Sequence, residues 1–168
     1  MFQVNDVVVY GNHGVCKITD VGALSMSLAD KDTIYYTLCP VYQRETLFYA
    51  PVDNQKVLIR PLITKEEAER LIENIPNIDS IWITNEKERE SLYKSIIKTC
   101  DCKELIKIIK TLYQRKESRI QDGKKITSVD ERYFRMAEGQ LYEELAYALG
   151  IEKEAVVSYI AESVQKKK

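Results

Sequence analysis

The chain has little that breaks or frees a backbone: 6 glycines and 4 prolines in 168 residues. Together with an apolar fraction of 45% and a charged fraction of 30%, that scarcity excludes a disordered chain and leaves no room for long linkers. Long apolar runs are missing too. Stretches such as Val7-Val8-Val9-Tyr10 are a few residues long, against the ~20 that a membrane span needs. Met1 to Asp6 offers neither a basic start nor an apolar core of signal-peptide length, so the expectation is a cytoplasmic protein that makes no membrane contact. In that reducing compartment the four cysteines, Cys16, Cys39, Cys100 and Cys102, are expected as free thiols.

The equipment of catalysis is also sparse. His13 is the single histidine and sits in the turn sequence Gly11-Asn12-His13-Gly14, whereas an activated nucleophile needs a base and a group to orient it. No G-x-x-x-x-G-K-S/T, G-x-G-x-x-G, H-E-x-x-H or G-x-S-x-G occurs, which removes the mechanistic basis for nucleotide, zinc-protease and serine-hydrolase chemistry. Cys100 and Cys102 are spaced C-x-C, not as the paired C-x-x-C knuckles of a structural zinc site. The expectation is no enzyme, no cofactor and no metal, with these thiols at a helix start capped by Asp101.

What is present changes character near residue 62. The first sixty residues alternate with period two and are rich in β-branched residues, predicting strands at 6–10, 15–21, 33–39, 46–50 and 57–59. Five strands in so short a span, with tight connections, predict a small closed barrel of the Tudor or SH3 kind, because closure removes exposed edges. After Pro61 the period becomes 3.6. Thr64 with Glu67, Asp101 with Glu104 and Ser128 with Glu131 have cap-box spacing. They predict helices over about 65–75, 85–99, 102–119, 129–149 and 152–165. Leu105, Ile109 and Leu112, and Tyr133, Met136, Ala137, Leu141 and Leu145, fall on single helix faces, as a bundle requires. The fold class is therefore α+β: a β-barrel module over 1–62 and an all-α helical bundle over 63–168.

The net charge of −1 argues against coating nucleic acid by bulk charge, but charge is unevenly placed. Residues 83–125 carry 12 basic and 7 acidic side chains, a local +5. That surplus supports a few phosphate contacts and salt-sensitive binding that needs another anchor; the same residues are equally what a solvated helical face would show. Beside them stands Trp82, the single tryptophan, flanked by Ile78, Ile81 and Ile83. Two roles fit it on composition: an aromatic that closes a core or junction, or an apolar wedge flanked by Lys and Arg, as minor-groove proteins use.

Phe2-Gln3-Val4-Asn5-Asp6-Val7-Val8-Val9-Tyr10, His13-Gly14-Val15, Tyr35-Tyr36-Thr37-Leu38, Ala50-Pro51 and Leu58-Ile59-Arg60-Pro61 resemble an RNA-polymerase-interacting domain. In the helical half, Trp82, Arg89, Tyr93-Lys94, Asp101, Ile109 to Lys116, Ile126-Thr127 with Asp130-Glu131, and Glu143-Glu144-Leu145-Ala146 follow in the order of the CarD/CdnL family of bacterial transcription regulators. Transcription-repair coupling factors share the first module but continue into a helicase, and no P-loop occurs here. The resemblance implies a non-enzymatic promoter factor. Its β module would dock on the RNA polymerase β subunit through Leu47, Phe48, Tyr49 and Pro51. Its helical module would meet promoter DNA at the upstream edge of the transcription bubble, stabilising the open complex without reading sequence and associating with the nucleoid through polymerase. Trp82 would be the minor-groove wedge, with Lys87, Arg89, Lys94, Lys110, Arg115 and Lys116 as the basic contacts. Tyr49 stands where several members carry an arginine, which implies a more apolar polymerase contact, and Thr99-Cys100-Asp101 replaces a frequent Ser-Gly-Asp. The alternative is a protein-interaction module, a β-barrel with a helical dimerisation or partner-binding domain that never touches DNA.

Overall fold

The structure, a computed structural model, describes residues 1–26, 30–54 and 56–166. Residues 27–29 and 55, within two of the expected connections, and the last two lysines lie outside the described residues. Two compact units are formed, Met1–Leu62 and Ile63–Lys168.

The first unit is one antiparallel sheet of β1 (Val7–Tyr10), β2 (Val15–Gly22), β3 (Tyr35–Pro40), β4 (Phe48–Pro51) and β5 (Ile59–Pro61), in the order β4-β3-β2-β1-β5. Alternation puts Val8, Tyr10, Cys16, Ile18, Tyr36, Leu38 and Ala50 into one buried cluster. The sheet is consistent with a Tudor-like fold, but the barrel expected from the sequence is not closed by hydrogen bonds: among the described residues β4 and β5 do not pair. Both strands are short and both end in proline, Pro51 and Pro61, which has no N–H to offer a ladder. Side chains span the opening instead. The Phe48 ring on β4 lies 5.8 Å from Tyr10 on β1 and 4.1 Å from His13.

The β1–β2 connection is a single 3₁₀ turn over Gly11–His13. Gly11 takes φ +47°, and its N–H donates to the Leu58 carbonyl at 2.8 Å. A Cβ at this position would lie 2.6 Å from Val57 Cγ1, so glycine is required both by the left-handed backbone and by the close approach of the β5 side.

The second unit contains α1 (Lys65–Glu73), α2 (Arg89–Lys98), α3 (Cys102–Gln121), α4 (Ser128–Leu149) and α5 (Val156–Gln165), with 3₁₀ turns at Ile75–Asn77, Glu86–Glu88 and Lys153–Ala155. Thr64 accepts from the Glu67 N–H, and Asp101 accepts from the Lys103 and Glu104 N–H groups, as the spacing predicted. The α4 cap is Thr127, not Ser128: Thr127 holds the extended backbone a cap requires and accepts from the Asp130 N–H, while Ser128 is already helical. The start of the expected 85–99 helix is a 3₁₀ turn capped by Asn85, and α2 proper begins at Arg89. Gly150, at φ +68°, ends α4 in a Schellman arrangement, with Ile151 N–H on the Ala146 carbonyl and Gly150 N–H on that of Tyr147.

Leu105, Ile106, Ile108 and Leu112 of α3 bury against Tyr133, Ala137, Leu141 and Leu145 of α4 within one core. Ile108 takes the fully buried place expected for Ile109, which is partly buried, and Met136 is 37% exposed. Cys100 sits at φ +54°, so the α2–α3 junction holds a left-handed residue without glycine's freedom.

Gly11→Ala is expected to destabilise the β unit by more than about 1 kcal/mol, seen as faster amide hydrogen exchange across β1 and β5. Gly22→Ala, where an added Cβ meets nothing within 4 Å, is expected to leave that exchange unchanged.

Candidate functional site

Trp82 lies in the extended segment between the turn at Ile75–Asn77 and the turn at Glu86–Glu88, and it is 86% exposed. It closes no core of the helical unit. Its backbone is nevertheless held. The Ile81 N–H donates to Thr111 Oγ1 at 2.8 Å; ahead of it, Lys110 Nζ donates to the carbonyls of Ile75 and Ile78, the latter at 2.6 Å. Behind it, Arg115 donates from both terminal nitrogens to the two carboxylate oxygens of Glu86, each at 2.9 Å. Lys110, Thr111 and Arg115 are neighbours on α3, the last two at i, i+4 on one face. The segment carrying the indole is thus strapped along α3 at three points, and Ile81 and Ile83 pack on the core.

Two hollows border the indole. One, of about 580 Å³, is lined by Thr84, Arg89, Ser91 and Leu92 among others. The other, of about 240 Å³, is lined by Thr111, Gln114, Arg115 and Ser118. The two arginines that reach these hollows converge on one carboxylate. Arg89 Nε lies 3.3 Å from Asp130 Oδ1, and Arg115 Nε lies 3.0 Å from Asp130 Oδ2. The Tyr93 hydroxyl donates to Oδ1 at 2.9 Å, and the Asp130 side chain is fully buried. Burial pushes the Asp130 carboxyl upward, but hydrogen bonds from Arg115 and Tyr93 and the charges of Arg115 and Arg89 outweigh it and hold the group below its ordinary value. Burial, then the bond to Asp130, raises the Tyr93 hydroxyl. The hydrogen bond from Arg115 holds the Glu86 carboxyl low.

The basic residues singled out in the sequence therefore divide. Arg89, Lys110 and Arg115 are partly buried and engaged within the fold; Arg89 also donates to the Glu86 carbonyl at 3.0 Å. Lys87 is exposed in the turn after Trp82, and Lys116 is half-exposed on α3. Lys94 is 67% exposed and stands 3.8 Å from Glu90. The residue that sequence reasoning missed is Asp130, named there only among the residues that carry the family resemblance. Its signal was present in the pattern Thr127-x-x-Asp130, where a carboxylate one position before the expected Glu131 turns inward.

In the β unit, β4 is an edge of the sheet. Phe48 packs on the buried cluster and Ala50 is 1% exposed, while Leu47 and Tyr49 are 48% and 39% exposed. Alternation thus turns Leu47 and Tyr49 outward and Phe48 toward the sheet's own packing, while Pro51, on the same face as Leu47 and Tyr49, is half-buried. Residues 2–63 match the family model of the CarD-like/TRCF RID domain. Over these residues the chain is similar to that RNA-polymerase-interacting family. The family is one of non-catalytic interaction domains, and the CarD-like resemblance is matched over this span. No curated protein matches the chain. No helix among the described residues is long and apolar enough to cross a membrane.

In the helical unit, Asp130 makes an acid-sensitive joint. Its lowered carboxyl contributes stability that is whole above the ordinary carboxylate value near pH ~4 and is lost as pH falls below that value through the lower folded-state one. Asp130→Asn is expected to cost about 3 kcal/mol at neutral pH, by leaving Arg89 and Arg115 without their shared counter-charge. It is also expected to flatten the decline in stability below about pH 4. Urea unfolding followed by helical circular dichroism across that range checks both.

Proposed function

We propose that this chain is a polymerase-tethered promoter factor: the RID docks on the RNA polymerase β subunit, and the helical unit contacts promoter DNA at the upstream edge of the bubble and stabilises the open complex. The observation that carries the reading is Trp82, 86% exposed on a segment fixed to α3 at three points. A large aromatic held out in water serves no packing purpose in its own unit. A rigid apolar blade, on a unit that also carries the outward Lys87, Lys94 and Lys116, is the equipment for entering a minor groove and propping apart a base step. The lysines give phosphate contacts that carry no sequence information. With Arg89, Lys110 and Arg115 engaged internally, the DNA surface is weak by itself, and docking on polymerase supplies the effective concentration that lets weak contacts count. The outward Leu47 and Tyr49 on the β4 edge fit strand-edge recognition, in which main-chain pairing gives affinity and alternate side chains give fit.

Trp82→Ala is expected to shorten the open-complex lifetime by about tenfold, the scale of losing 1–2 kcal/mol of apolar contact, without weakening polymerase binding. Unchanged lifetime and unchanged DNA affinity in the presence of polymerase would assign Trp82 to a protein interface instead. Tyr49→Ala with Leu47→Ala is expected to weaken polymerase binding by about tenfold or more, as loss of central interface side chains does, measured by binding of the full chain to immobilised polymerase.

A further inference from the structure

The Arg115–Glu86 pair has the geometry of an occupied phosphate site. Arg115 is oriented from behind: its Nε is committed to the fully buried Asp130 at 3.0 Å, so the two terminal nitrogens are presented outward as a fixed fork. Those nitrogens hold two oxygens of one anion, the Glu86 carboxylate, at 2.9 Å each. A phosphate diester offers the same two-oxygen edge to a guanidinium, and Arg forks bind carboxylate and phosphate with one geometry. The cover is also removable. Glu86 is 64% exposed on a one-turn 3₁₀ segment, whereas the Arg115 side chain beneath it is 22% exposed and anchored. Water reaches the Glu86 side of the pair and competes for its carboxylate, so an incoming anion can take its place on the fork. The fork also lines the hollow that Trp82 borders, which puts it beside the backbone of any duplex whose groove receives the indole.

We infer that the Arg115 fork is a backbone-phosphate site of the helical unit and that Glu86 occupies it as an internal phosphate mimic, yielding when DNA is presented. The inference rests on the proposed DNA contact at Trp82 and adds to it a residue-level gate. By charging each DNA contact with the release of an internal carboxylate, the gate keeps the unanchored chain off non-specific duplex; the phosphate then takes over a fork already oriented by Asp130.

The test is duplex binding by the full chain, measured by fluorescence anisotropy with a labelled 25-base-pair duplex of arbitrary sequence between about 50 and 200 mM salt. Glu86→Gln keeps the shape of the cover and removes its charge. It is expected to tighten binding at least about threefold and to steepen the slope of log K against log salt by ~0.9, the signature of one added phosphate contact. The control is Glu117→Gln, the same change of charge at an exposed position two residues from Arg115; through general charge alone it is expected to shift affinity by less than about twofold. Arg115→Lys in the Glu86→Gln background keeps the charge and loses the fork, and is expected to cancel the gain while thermal unfolding stays cooperative. Equal responses to Glu86→Gln and Glu117→Gln, or a gain that survives Arg115→Lys, would overturn the inference and leave the Trp82 reading standing. Absence of duplex binding by wild type and Glu86→Gln alike, with polymerase present as well as absent, would overturn both.

Discussion

The buried carboxylate of Asp130 is the interaction on which the helical unit is organised. It stands in the first turn of α4, where the helix N-terminus favours an anion, and it receives Arg89 and Tyr93 from α2 and Arg115 from α3. Three helices thus share one counter-ion. Such an arrangement is a poor source of net stability, because desolvating the charges consumes most of what their attraction returns. What it provides is registry. Apolar packing among Ile97, Leu105, Leu112 and Leu145 tolerates small sliding motions, whereas a carboxylate that must meet two guanidinium groups and a hydroxyl fixes the relative heights of α2, α3 and α4.

That registry is passed outward to the surface. Arg115, held by Asp130 on one side, holds Glu86 on the other; one turn earlier, Thr111 holds the Ile81 N–H. Trp82 lies between those two attachments. An exposed indole on a loose loop would adopt many orientations and lose binding energy ordering itself, while one on a strapped segment has met that entropy already in folding. Lys110, gathering two carbonyls that end the first helical stretch, extends the strap in the other direction. The surface basicity counted in the sequence is smaller in space than in composition, because Arg89, Lys110 and Arg115 have partners within the fold.

Much of this was legible in the residues and some of it was not, for physical reasons. Period-two and period-3.6 patterns report burial, so the strands and helices could be read, and caps act over three residues, so Thr64 and Asp101 could be placed. Thr127 and Ser128 both carry a hydroxyl at usable spacing, and backbone conformation alone chose between them. Closure of the barrel depends on how far a sheet curls, which two terminal prolines and the Phe48, Tyr10 and His13 rings decide together. The basic run was the most deceptive. A charge count has no access to partners 41 and 15 residues away, the separations of Arg89 and Arg115 from Asp130, and so it could not tell a phosphate contact from a structural tie.

The two units meet the same problem with different means. Each carries a feature that a free-standing domain avoids: an unpaired strand edge in one, a bare tryptophan in the other. An open edge invites indiscriminate pairing, and at β4 the liability is limited because the strand is four residues long, ends at Pro51 and is pinned inward by Phe48. A bare indole invites indiscriminate adhesion, and at Trp82 it is limited because the neighbouring guanidinium groups are already satisfied by Asp130 and Glu86. On the proposed reading, each surface is thereby rigid in shape and modest in affinity. Two modest surfaces on one chain discriminate better than one strong surface would, because only a target that presents both partners within reach of the chain recovers the product of their affinities.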